Sequence, residues 1–101
     1  YWAVCLNDER IDIRPRNGAK DRGDIGGIYL PHGGRLVIEC KDYAGAVKVK
    51  PWLDEAEVER GNDDALVGVV IVKRKGTARP GDQLVMMTVD TLLKFWPGVN
   101  S

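Results

Sequence analysis

Three residues of this chain have the types and spacing for chemistry at a phosphodiester: Asp24, Glu39 and Lys41. Glu39 and Lys41 stand two apart in the apolar run RLVIECK, so on a strand both point to one face of a sheet. Asp24 opens another such run, DIGGIYL, joined to the first by the tight turn His32-Gly33-Gly34. A hairpin of these strands folds Asp24 back towards Glu39 and gathers two carboxylates and one ammonium at one sheet edge. Two hard oxygen ligands, with the backbone carbonyl of Cys40 as a third, can hold Mg2+ (or Mn2+ in its place) and leave it waters for chemistry. Such an ion polarises a phosphoryl oxygen and activates a bound water. Lys41 then orients or activates that water and offsets charge developing on the phosphorus. The competing reading is a plain Glu39–Lys41 salt bridge at a strand end.

The elements that must position these residues follow from hydrophobic period and breakers. Ile11–Arg16 alternates as a half-buried strand ended by Pro15, and Arg16–Gly23 is a polar loop with an Asn17-Gly18 turn signal. Asp24–Leu30 and Arg35–Lys41 are the hairpin strands. The uninterrupted Leu36-Val37-Ile38 predicts a central strand covered on both faces. Pro51 suits the first turn of a helix carrying Trp52, Leu53 and Ala56, with Val49 and Arg60 at compatible spacing, and Gly61-Asn62 stops it. Val67–Val72 is a buried strand, Lys73–Asp82 a basic turn, Gln83–Thr88 a further strand, and Val89–Trp96 a short helix capped by Thr88 or Asp90. Tyr1–Leu6 is apolar and slightly favours helix. The order β, β-hairpin, α, β, β, α predicts an α/β fold, a mixed sheet flanked by helices, as a single domain over residues 1–101.

Composition narrows the function classes. The chain has 101 residues, 44% apolar and 30% charged, an ordinary globular balance. No apolar run approaches the roughly 20 residues that span a membrane, so no membrane partner is expected. Cys5 and Cys40 are too few and too far apart for a disulfide scaffold or a zinc knuckle, and an intracellular compartment is the expectation. The formal net charge of zero is unevenly spread: residues 1–50 carry nine basic and seven acidic groups, 51–72 one and six, 73–101 five and two. A uniform histone-like coat is excluded; a basic face opposite an acidic helix is not.

Residues 20–41, KDRGDIGGIYLPHGGRLVIECK, resemble the PD-(D/E)xK nuclease superfamily, with an Asp at the start of one hairpin strand and E-x-K at the end of the next. Gly23 stands where the usual Pro would precede the Asp. The later run through PWLDEAEVE, VGVVIVKRKG and ARPGDQLVMMT is similar to small Holliday junction resolvase-type nucleases of actinobacterial phages, over about Ile11 to Phe95. The resemblance implies a restriction-endonuclease-like fold and a metal-dependent endonuclease acting on branched or duplex DNA. It makes Asp24 and Glu39 metal ligands, Lys41 the catalytic lysine, and Glu55 the further polar residue from the helix after the third strand. Resolving a junction takes two symmetric cuts, which implies a homodimer. Relatives of that type begin with a helix bearing an additional acidic ligand. The sequence starts 23 residues before Asp24 and offers no residue for that role, so the expectation is a first helix cut short or a ligand missing.

Two basic groups are candidate DNA contacts: Arg14, Arg16, Lys20 and Arg22 leading to Asp24, and Lys73, Arg74, Lys75 and Arg79 after the buried strand. Either can instead be a solvated loop. A non-catalytic DNA-binding or assembly module of the same fold is therefore the alternative to the enzyme. His32 at a hairpin tip lacks a catalytic partner. Cys40 alternates away from Glu39 and Lys41 and is expected to be a core thiol. Asp54, Glu55, Glu57 and Glu59 form an acidic stretch that repels DNA and is expected to face away from it, or into a partner.

Overall fold

Leu36, Val37 and Ile38 are all buried, and the strand that carries them is the centre of the molecule. The computed structural model describes residues 12–13, 25–31, 33–42 and 46–96. Along the chain run β1 (Asp12–Ile13), β2 (Ile25–Tyr29), β3 (Arg35–Asp42), α1 (Val49–Asn62), β4 (Val67–Lys73), a 3-10 turn (Pro80–Asp82), β5 (Leu84–Met86) and α2 (Val89–Leu93). One mixed sheet has the order β1-β2-β3-β4-β5, parallel between β3 and β4 and antiparallel elsewhere. The fold is α/β. The readings on Tyr1–Leu6, the polar loop before Asp24 and His32 fall outside the described residues.

The hairpin of β2 and β3 closes through Leu30 N–H donating to the Gly34 carbonyl at 2.9 Å. Ile25 pairs with Ile38 and Ile28 with Leu36, so β2 spends three residues where β3 spends two. Gly27, at φ +81°, absorbs the extra residue. The bulge keeps Ile25 and Ile28 on one face in spite of their odd spacing. There they pack with Leu30, Leu36, Ile38, Val67 and Val69, and with Phe95 and Met87 from the C-terminal part.

The other face of β3 and β4 takes α1. Ala56 packs with Val70 and Val72, flanked by Val47, Trp52, Leu53 and Met86. Gly68 makes the close approach possible, since a Cβ there would lie 2.7 Å from the Ala56 carbonyl oxygen. Arg35 ties the far end of α1 to the start of β3. It donates to Asp63 Oδ2 at 3.0 Å and to the Asp63 and Asp64 carbonyls, and Asp63 is buried. α1 begins at Val49, two residues before Pro51, which sits within the first turn, where its missing N–H costs nothing. β5 covers only Leu84–Met86 because Gln83 leaves the ladder to brace the preceding loop. Thr88 caps α2, accepting from Thr91 N–H at 3.1 Å. Among the described residues no helix is long and apolar enough to cross a membrane.

Candidate functional site

In the parallel ladder Val37, Glu39 and Lys41 stand beside Gly68, Val70 and Val72, all on the face that α1 covers. Glu39 is therefore pressed beneath the helix, 1% exposed. Among the described residues its two carboxylate oxygens accept no hydrogen bond. The Glu39–Lys41 salt bridge open to the sequence is not the pairing found. Lys41 Nζ donates instead to both oxygens of Glu55, at 2.8 and 3.0 Å. Both partners are partly exposed, so the pair marks the edge of the site and Glu39 its floor.

α1 brings two acids to this floor. Glu55 and Glu59 lie one turn apart on the side that also carries Trp52 and Ala56, and Glu59 is 1% exposed. One carboxylate oxygen from each of Glu39, Glu55 and Glu59 falls within 4.8 Å of the others. The acidic stretch does not face one way: its members divide. Asp54 and Glu57 point outward, to Lys50 at 2.6 Å and to Arg60, whose hydrogen bonds hold the Glu57 carboxyl below the usual carboxylate range. Glu55 and Glu59 point to the sheet.

The sequence places Glu59 only in the acidic stretch, not in the site. The signal for it is spacing: Trp52, Glu55, Ala56 and Glu59 recur at i, i+3, i+4, i+7, one helical face. Reading acids as solvated hid it.

Three carboxylates in a small, mostly buried space repel one another, and a desolvated carboxylate costs several kcal/mol unless matched by positive charge or donors. Buried polar atoms are satisfied as a rule. The three acids could hold a divalent cation, and an all-oxygen donor set suits Mg2+, Mn2+ or Ca2+. Oxygens sharing one Mg2+ ion stand about 3 Å apart at neighbouring positions and about 4.2 Å apart across it, and the 4.8 Å bound puts these groups close to that spacing.

Of the other sequence candidates, Asp24, Arg14, Arg16, Lys20 and Arg22 lie outside the described residues. Ile25, next to Asp24, pairs with Ile38, which puts the start of β2 beside the Glu39 end of β3. Lys73, Arg74, Lys75 and Arg79 are all exposed on the loop that leaves β4 at the Lys41 end of the sheet. A groove of about 270 Å3 under that loop is lined by Lys41 and Lys73 together with Cys40, Ile71, Ala78, Pro80 and Gln83, and so lies largely on the sheet face away from Glu39. Cys40 does face away from Glu39, but as a core thiol it is corrected: it is exposed. It lines a groove of about 370 Å3 with Ile25, Ile71, Pro80 and Val85 on the opposite face of the sheet. No protein-family model matches the chain, and no curated protein or solved structure matches it either.

Proposed function

We propose that this chain is a metal-dependent endonuclease of the PD-(D/E)xK type that hydrolyses DNA phosphodiester bonds, with Holliday and other branched junctions as its substrates. One observation carries the reading: the Glu39 carboxylate is buried and accepts no hydrogen bond, beside further carboxylates and two residues from a lysine on the same strand face. A carboxylate kept only for an ion pair has no reason to leave its lysine to another residue. Glu39 and Glu55, with Asp24 from the resemblance and the backbone carbonyl of Cys40, would hold Mg2+ or Mn2+. When bound, the ion supplies polarisation of the scissile phosphoryl oxygen.

The chain's own residues do the rest. Glu55 holds the Lys41 ammonium at the rim through two of its three donors, leaving one for a phosphate oxygen or the attacking water. The loop of Lys73, Arg74, Lys75 and Arg79 receives the backbone next to the site. Its shape comes from Gln83, which accepts from Arg74 N–H at 2.6 Å and donates to the Arg79 carbonyl at 2.7 Å. Exposed Leu84, Val85, Val89, Leu92, Leu93 and Trp96 along β5 and α2 support pairing with a second copy, as two symmetric cuts require. Such an enzyme acts inside a cell, where its substrate is.

The Lys41–Glu55 pair favours one rival, a DNA-binding module in which that ion pair is structural. Incubating a labelled four-way junction, linear duplex of the same sequence and mismatched duplex with Mg2+ or EDTA separates the readings. Paired nicks in the junction with Mg2+ alone support resolution, and preferential cutting of duplex moves the substrate class. Binding without cutting supports the module. Lys73→Gln combined with Lys75→Gln is expected to weaken junction binding and to lower the log–log salt slope by about 2. A binding titration across salt concentrations reads this, and an unchanged slope takes the loop out of the interface.

A further inference from the structure

We infer that Glu59 is a metal ligand, joining Glu39 and Glu55 around one divalent cation held between α1 and β3. The inference deepens the nuclease reading and rests on it only for the task the cation performs. Glu59 follows Glu55 by one helical turn, and both carboxylates reach the space above Glu39, with one oxygen of each of the three within 4.8 Å of the others. Glu39 supplies the independent sign of a ligand. Its carboxylate is 1% exposed, is aimed into this cluster, and accepts no hydrogen bond among the described residues. Glu59 is equally buried, in a helix whose other buried residue is Ala56.

Glu55 stands at the rim and also holds Lys41. A carboxylate has about four lone-pair sites, so it can keep the ammonium and still turn an oxygen inward. The donor set contains only oxygens, which selects Mg2+, Mn2+ or Ca2+ over softer ions.

The test is Mn2+ binding, followed by the EPR signal of the unbound ion, for the wild type, Glu59→Gln and Glu57→Gln. Glu57→Gln is expected to bind within twofold of the wild type and Glu59→Gln at least about tenfold more weakly. Melting curves in EDTA and in Mn2+ guard against a folding defect: Glu59→Gln should melt cooperatively in EDTA yet show no rise with Mn2+, whereas the wild type rises. Mn2+ affinity in Glu59→Gln within twofold of wild type overturns the inference, as does a wild type that binds no Mn2+. If Glu59→Gln loses Mn2+ while the wild type cuts no DNA, the ligand assignment stands and the nuclease reading falls. If Glu59→Gln keeps wild-type affinity and Mg2+-dependent cutting is present, the nuclease reading stands and the assignment falls.

Discussion

Lys41→Ala is expected to slow metal-dependent DNA cleavage by about a thousandfold or more while junction binding stays within about twofold. The ammonium stands on the same strand face as Glu39, at the rim of the acidic floor, where in the proposed reaction a phosphate oxygen and an attacking water would meet the protein. It is a single charge, and the exposed Lys73, Arg74, Lys75 and Arg79 loop offers four more for binding. Loss of turnover without loss of affinity is therefore the signature. The fold should tolerate the change, because Glu55 is partly exposed and water can take over its oxygens, so the stability cost is at most about 1 kcal/mol. Single-turnover cleavage with saturating enzyme, beside a binding titration on the same junction, separates the two quantities. A variant that cuts at the wild-type rate removes Lys41 from the chemistry.

Gly68→Ala carries the largest expected loss of stability. The added Cβ would sit 2.7 Å from the Ala56 carbonyl oxygen and 3.2 Å from Arg60 Cβ. The nearer atom is backbone, so no rotamer relieves the clash and α1 must lift from the sheet, at a cost of about 1–3 kcal/mol. The consequence reaches the site, because Glu55 and Glu59 ride on the lifted helix while Glu39 stays on β3. Displacements near 1 Å cost on the order of a hundredfold in positioned chemistry. Urea unfolding should show the lower midpoint, and Mn2+ affinity should fall with it. Unchanged values for both would mean that α1 does not depend on this contact for its place.

Much of the scaffold was legible because period and breakers agree. The run Leu36-Val37-Ile38 marked the central strand, Pro51 and Gly61-Asn62 bracketed the helix, and Thr88 stood where a cap was needed. The limits of the reading are equally physical. Alternation tells which face Cys40 takes, away from Glu39, but not whether that face is covered at that end of the strand, and there it opens onto a groove. Gln83 has nothing in its type to say that it would serve the loop rather than the strand. Glu59 was hidden because acids in a charged helix are usually solvated. Only the fixed spacing from Trp52 and Ala56 reveals its side of the helix. The partner of Lys41 was equally beyond sequence, since Glu39 and Glu55 are both plausible until helix and strand are set side by side.

The most direct measurement is cleavage of a labelled four-way junction by the wild type, Glu39→Gln and Asp54→Asn, each in Mg2+ and in EDTA. Asp54 is an exposed acid of the same helix, paired with Lys50 and outside the cluster, and so controls for charge alone. Wild type and Asp54→Asn should give paired nicks in Mg2+ and none in EDTA. Glu39→Gln, shown by its melting curve to be folded, should give none in either. Cutting by Glu39→Gln at the wild-type rate, or a wild type that yields no Mg2+-dependent product, would contradict a metal-dependent nuclease centred on Glu39.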